Sequence, residues 1–309
     1  MIYNDSVLTA EERTIFALRS LYKDAGYSPY KMSKFEDYDL YVKNKDFLVS
    51  KEILTFTDTN GKLKALKPDV TLSIIKNTRG NADKVCKVYY DENVYRVSRG
   101  SGTFCEIMQA GLECIGDISN DDRREVLMLA AKSLSAVSDS FALDIAHMQI
   151  ADAAVAAVSD DPDIRKQLFR CIESKNANGI NEICEKNGID KSTAAPLINL
   201  TGIRGKIKDT LPQIKDIALL VNAADAYSEL EDLVGVFSGT DFEDKVSLDF
   251  SSVGDMRYYN GILFNGFIDG ISSSVISGGQ YDNLLKKMNS NKCGIGFAFY
   301  LDLIGEITR

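Results

Sequence analysis

Apolar residues recur every three to four positions over residues 9–25, with Ile15, Leu18, Tyr22 and Ala25 on one face, which predicts an amphipathic helix. Thr9 with Glu12 forms a T-x-x-E capping box, and Gly26 fits the position past the helix end. The runs ILTFTD and KLKAL flank Asn60-Gly61 and predict a hairpin over 52–66. A short helix is expected over 69–79, then strand-like KVCKVYY and VYRV, then the longer FCEIMQAGLECIG. Asp121 to Val137 reads as a second amphipathic helix, with Val126, Leu127, Ala130, Leu134 and Val137 inward. Residues 142–150 are strand-like. Residues 152–212 are rich in Ala, Asp, Lys and Asn, weakly patterned, and read as an inserted helical subdomain. A long helix over 214–237 follows. The remainder returns to strands (KVSLDFS, YYNGILFNGFI, SSSVIS), a helix from Tyr281, and GIGFAFYLDLIGEI. Strands at both ends, joined by hairpin signals, predict the α+β class: a mostly antiparallel sheet flanked by helices.

The 309 residues suffice for one large domain or a core with an insertion. A net charge of −9 argues against tRNA as the main partner, because proteins that grip phosphates present a basic face. No basic and apolar leader opens the chain and no apolar run reaches membrane-spanning length, so a cytoplasmic protein with no membrane partner is expected. The six cysteines are scattered without a C-x-x-C pair, and the lone His147 has none at ligand spacing. Reduced thiols and no metal site are expected. Neither a P-loop nor G-x-G-x-x-G is present, so no cofactor is indicated.

The segment Ile107 to Gly116 carries the first chemical signal. On a strand, Gln109, Gly111 and Glu113 share one face, while Met108, Ala110, Leu112 and Cys114 share the other. Two hydrogen-bonding side chains separated by a glycine make a floor for a small polar ligand. From this pattern alone, a solvent-facing strand with incidental Gln and Glu is the plainer alternative. Tyr259 and Gly261 share a face further on, where a Tyr can stack on a ring or simply pack. Ser277 to Asp282 reads as a tight turn into a helix, and Asp69 and Thr71 suit helix capping.

Four segments, in order, resemble the histidyl-tRNA synthetase family and span nearly the whole chain apart from the insertion. LTFTDTNGKLKALKPDVT resembles the family's hairpin ending in L-R-P-E-G-T, and VYRVSRGSGTFCEIMQAGLECIG resembles class II motif 2 with its Q-x-G-x-E strand. YYNGILFNGFI and ISGGQYDNLL resemble the histidine-specific elements R-G-L-D-Y-Y-T-G and G-G-R-Y-D. GIGFAFYLDLI resembles motif 3, G-F-A-x-G-x-E-R-L. The resemblance implies a class II aminoacyl-tRNA synthetase-like core over 1–309, interrupted by the 152–212 insertion, and a histidine pocket. Asp69 (Glu in the family), Thr71 and Gln109 would hold the α-ammonium, and Arg96 would meet the carboxylate. Glu113 would accept from one imidazole nitrogen, Tyr259 would face the ring's other side, and Tyr281 would line the pocket. At Gln109 and Glu113 the resemblance and the strand pattern converge, which favours the pocket over the solvent-facing strand.

The family's catalytic groups do not carry over. R-G-L-D-Y-Y becomes Gly254-Asp255-Met256-Arg257-Tyr258-Tyr259, so Gly254 takes the catalytic Arg position, Leu303 the motif 3 Arg, and Ser98 the motif 2 acid. Adenylate formation builds negative charge on phosphate, and losing one preorganised donor costs on the order of 3 kcal/mol. Two losses slow the step by about four orders of magnitude or more, with Arg257 and Arg99 placed to compensate in part. The sequence stops six residues after Leu303, where the synthetases attach an anticodon-binding domain. As a whole, the pattern resembles the ATP phosphoribosyltransferase regulatory subunits. That resemblance implies no catalytic residue of its own, a short-form ATP phosphoribosyltransferase catalytic subunit as partner, and histidine as effector in the first step of histidine biosynthesis. A homodimer within the hetero-oligomer is also implied, with Ser33 standing where motif 1 has proline. Two alternatives stay open: a minimal synthetase-like enzyme that still activates histidine, and a histidine-sensing module serving another protein.

Overall fold

The first helix, α1 (Ala10–Asp24), forms where the apolar period places it. Its capping box is reciprocal: the Glu12 N–H donates to Thr9 Oγ1 at 3.1 Å, and the Thr9 N–H to Glu12 Oε2 at 2.8 Å. Gly26 stops it at φ +86°, with its N–H on the Lys23 carbonyl. The buried face is Thr14, Leu18 and Tyr22, while Ile15 and Ala25 are only half-buried.

The computed structural model describes residues 7–48, 52–78, 85–97, 102–253 and 258–306. They fall into two units, 1–140 with 267–309, and 141–266. In the first unit α1 is followed by β1 (Ser28–Pro29), β2 (Phe35–Asp37), α2 (Tyr38–Lys43), β3 (Thr55–Thr57) and β4 (Leu63–Leu66). Then come α3 (Thr71–Thr78), β5 (Cys86–Val97), β6 (Phe104–Gly116) and α4 (Asn120–Ser135). The expected hairpin is present as β3 and β4, antiparallel, with Gly61 at φ +77° in its turn. The two strand-like runs KVCKVYY and VYRV are one continuous strand, β5. Its polar centre pairs instead of turning: Arg19 Nε donates to Asp91 Oδ1 at 2.9 Å, and Lys67 Nζ to Glu92 Oε2 at 2.5 Å.

The second unit holds β7 (Phe141–His147), α5 (Met148–Val158), α6 (Pro162–Glu173), α7 (Ala177–Asn187) and α8 (Lys191–Gly202). After them come β8 (Arg204–Lys206), α9 (Ile207–Leu220), α10 (Ala224–Val234), β9 (Val246–Asp249) and β10 (Ile262–Ile268), whose last two residues belong to the first unit. The strands are ordered β10-β7-β9-β8. The single long helix expected over 214–237 is two. Asn222 takes the left-handed conformation at φ +57°, and the Ala223 N–H reaches back to the Ala218 carbonyl at 2.7 Å, which closes α9.

The chain completes the first unit with β11 (Ile276–Gln280), α11 (Asp282–Lys287) and β12 (Cys293–Tyr300), giving the strand order β1-β5-β6-β12-β11. Ser277 to Gln280, expected in a tight turn, lie on β11, where Gly279 pairs with Gly296. The pairs β5–β6, β6–β12, β11–β12 and β8–β9 are antiparallel, and β1–β5 and β7–β9 are parallel. This is the α+β, mostly antiparallel arrangement that the sequence predicts.

The central strands of the first unit have two unlike faces. On the back, Tyr89, Leu112 and Phe297 stand directly opposite one another on β5, β6 and β12. The Tyr22 ring of α1 lies 6.1 Å from that of Tyr89 and 6.0 Å from that of Phe297. Its hydroxyl is 3.0 Å from Ser133 Oγ on α4, which satisfies the one polar atom in the contact. Burying a side chain such as Leu112 contributes roughly 1.5–3 kcal/mol, so this face anchors the strands. The front face is where polar groups gather.

Candidate functional site

On the front face Glu113 stands opposite Val88 and Gly296, Gly111 opposite Tyr90 and Ala298, and Gln109 opposite Glu92 and Tyr300. From Gln109 onward every residue of β6 is buried, so Gln109 and Glu113 are not on a solvent face. Glu113 is 2% exposed. Thr71 Oγ1 donates to its Oε1 at 2.5 Å, and the Tyr281 hydroxyl donates to its Oε2. Among the described residues no Lys or Arg pairs with it. Burial therefore pushes its carboxyl up to about 8, opposed by the Thr71 and Tyr281 hydroxyls and reinforced by the charge of Asp69.

Three glycines explain how polar side chains lie flat on this face. A Cβ at Gly296 would stand 2.0 Å from Glu113 Oε2, one at Gly294 would stand 2.5 Å from Tyr281 Cε2, and one at Gly111 would stand 2.6 Å from the Tyr90 hydroxyl. The bare backbone at 111 is thus not an open space for a ligand. Tyr90, from the neighbouring strand, fills it.

The segment Lys67-Pro68-Asp69 borders the cluster. Asp69 caps α3, accepting the Leu72 N–H at 2.9 Å. Thr71, also suited to capping, sends its hydroxyl to Glu113 instead. Arg96 Nε donates to the Pro68 carbonyl at 2.7 Å, and its terminal nitrogens make no hydrogen bond to another described residue. Burial holds the Asp69 carboxyl above its ordinary value, opposed by the Arg96 charge and by the backbone N–H groups of Leu72 and Thr71. Lys67, 1% exposed, is committed to Glu92. The cluster thus sets two buried carboxyls, Asp69 and Glu113, beside the Arg96 guanidinium. It also holds a buried amide nitrogen, Gln109 Nε2, with no hydrogen-bond partner among the described residues.

Six of the seven expected site residues, Asp69, Thr71, Arg96, Gln109, Glu113 and Tyr281, share the first unit, and hydrogen bonds or charges connect all but Gln109. Tyr259 belongs to the second unit, where its ring lies edge-on to Tyr258 at 4.8 Å between centroids. Among the expected catalytic positions Leu303 is half-buried in the short turn of helix at 301–306. Ser98, Arg99, Gly254 and Arg257 lie outside the described residues. Sequence reasoning missed Tyr90. Its signal was the alternation Val88, Tyr90, Glu92, which becomes readable only with the β5–β6 register.

Comparison with known proteins gives the family. The histidyl-tRNA synthetase family model matches residues 5–304. The ATP phosphoribosyltransferase regulatory subunit of Clostridium kluyveri is 30% identical over 294 residues, covering 92% of this chain and 74% of that protein. The chain belongs to the family of ATP phosphoribosyltransferase regulatory subunits, built on a histidyl-tRNA synthetase-like core. A crystal structure of an ATP phosphoribosyltransferase regulatory subunit/histidyl-tRNA synthetase from Bacillus halodurans shares the fold at a TM-score of 0.86 and 23% identity, over 97% of this chain and 79% of that one. A chain of an ATP phosphoribosyl transferase complex from Thermotoga maritima superposes at 0.75 with 21% identity, over 94% and 97% of the two chains. The histidine–tRNA ligase of Methanosarcina acetivorans is 26% identical over 306 residues, 97% of this chain and 72% of that enzyme. Regulatory subunits and ligases therefore share one core. Among the described residues no helix is long and apolar enough to cross a membrane, and no cluster of three metal-ligating side chains occurs.

Proposed function

We propose that this chain is a non-catalytic subunit that activates a short ATP phosphoribosyltransferase catalytic subunit and reports free histidine to it. Membership of the regulatory-subunit family supports the first role. The observation that carries the second is Glu113, a buried carboxyl set by two hydroxyl donors beside Asp69 and Arg96. In the proposed complex Glu113 accepts from the imidazole, Arg96 takes the carboxylate with its terminal nitrogens, and Asp69, Gln109 and Thr71 surround the α-ammonium. A contribution of Tyr259 rests on the family resemblance alone. Feedback then requires only that histidine bind one state of the complex better than another.

A synthetase-like enzyme would use the same pocket, and the likeness to the Methanosarcina ligase keeps that reading in play. Against it stand Leu303 and Gly254, where adenylate formation calls for cations. Mixing the chain with a short catalytic subunit and assaying phosphoribosyl transfer from ATP tests the proposal. The rate should rise with the added chain and fall with histidine. An unchanged rate over a range of ratios, without co-elution, points to a sensor for some other protein. Histidine-dependent pyrophosphate–ATP exchange at the rate of an ordinary synthetase would restore the enzyme.

A further inference from the structure

Lys67 is 1% exposed, and a lysine is almost never buried so deeply without a paired charge. Its partner is Glu92 of β5, with Nζ 2.5 Å from Oε2. Such a pair adds little net stability, because desolvating two charges offsets their attraction. What it does supply is a fixed length and direction. Glu92 is itself held, its Oε1 accepting the Met32 N–H at 3.4 Å. The backbone of Lys67 is tied on both sides: its N–H donates to the Lys34 carbonyl at 3.1 Å, and its carbonyl accepts the Tyr95 N–H at 2.9 Å. One residue on, the Pro68 carbonyl accepts from Arg96 Nε at 2.7 Å. The segment leading to Asp69 is thus gripped by β5 through Glu92, Tyr95 and Arg96.

Asp69 follows Lys67 by two positions, and the link between them is stiff. Proline fixes its own φ, and the residue before it is confined to extended backbone. A shift at Lys67 therefore carries through to Asp69 instead of being absorbed on the way. Asp69 in turn caps α3 and feels the Arg96 charge. We propose that Lys67 and Glu92 are positioning residues: their ion pair holds the Pro68–Asp69 segment on β5, and so sets the Asp69 carboxyl and the Arg96 guanidinium at the separation that an α-ammonium and an α-carboxylate require. This rests on the histidine-pocket proposal and adds two residues that act through Asp69 and Arg96.

The test uses the full chain, L-histidine, and 4-methylimidazole, which keeps the ring and lacks the amino-acid end. The double variant Lys67→Met with Glu92→Leu replaces both charges with apolar side chains of similar size, a change that often leaves stability level or raises it. Its melting temperature should hold while its affinity for L-histidine, measured by calorimetry, falls about tenfold, the effect of one misaligned hydrogen bond. Its affinity for 4-methylimidazole, read by competition, should not change. Glu92→Gln keeps the shape of the side chain and serves where the double variant does not fold, with the same split expected. Full L-histidine affinity in the folded variant reduces the pair to packing, and equal losses for both ligands place its effect outside the amino-acid end. Either result overturns the positioning role alone. No histidine binding by the folded, unaltered protein overturns the pocket itself, and the positioning role with it.

Discussion

Tyr281 and Glu113 are 168 residues apart, yet the phenol of one donates to the carboxyl of the other. Two backbone features bring them together. The Tyr281 N–H bonds the Gly294 carbonyl at 2.8 Å, and the bare Gly294 lets the ring lie against β12. The hydroxyl favours the charged form of Glu113, the form that accepts an imidazole N–H. Tyr281→Phe should therefore make that form harder to reach and weaken histidine binding about fivefold to tenfold. Calorimetry checks this, with a melting curve as control. Undiminished affinity would reduce Tyr281 to packing.

Glu113 also sets a pH dependence. With its carboxyl pushed up to about 8, it carries a proton in the free protein at neutral pH, whereas an imidazole titrating near 6.5 is mostly neutral. Accepting the ring N–H requires that proton to leave. Histidine binding should then release close to one proton at about pH 7, and affinity should rise toward pH 8 by at most about tenfold per unit. Stability of the free protein runs the other way. A carboxyl raised from 4.5 contributes stability below its unfolded value and loses it as pH climbs through about 8. Titrations in two buffers of different ionisation enthalpy measure the released proton. Glu113→Gln should abolish both trends; a release that persists in that variant belongs to another group.

What the sequence made legible was local. A period of two put Gln109 and Glu113 on one face, and a capping box with a following glycine bounded α1. The misses are non-local. Asp91 and Glu92 look like a strand break until Arg19 and Lys67 are seen to pair with them. Gly111 looks like room for a ligand until the β5 register brings Tyr90 over it. Gly278 and Gly279 look like a turn because nothing local shows that β12 pairs with them. The family resemblance supplied what periodicity lacked, since it grouped Asp69, Thr71, Arg96 and Tyr281, from distant segments, with Glu113.

The glycines of the front face give a stability prediction. A methyl at Gly296 would meet both Glu113 Oε2 and, at 2.4 Å, the Leu112 carbonyl, which is backbone and cannot swing away. Gly296→Ala should cost about 1–3 kcal/mol through overpacking and displace Glu113. The melting temperature and the histidine affinity should fall together. Gly305→Ala, where a Cβ meets nothing within 4 Å, is the control. Similar melting temperatures for the two variants would show that β6 and β12 yield more easily than their packing implies.

In the proposed complex, histidine binding and the catalytic subunit are coupled. If histidine acts by binding one state of the complex better, the two equilibria are linked, and the linkage is reciprocal. The factor by which the catalytic subunit changes histidine affinity must equal the factor by which histidine changes the affinity of the subunits for each other. Glu113→Gln replaces a charged acceptor with a neutral one, and charge-assisted hydrogen bonds are roughly twice as strong as neutral ones. Half-inhibition of phosphoribosyl transfer should then need about tenfold more histidine. Leu303→Ala, half-buried in the turn at 301–306 and apart from the hydrogen bonds that set Glu113, should leave that concentration where it was. Inhibition curves for the three complexes, alongside histidine titrations with and without the partner, supply every quantity in the cycle. Inhibition that keeps its histidine dependence in Glu113→Gln would mean that the effector acts from another site, most directly one on the catalytic subunit.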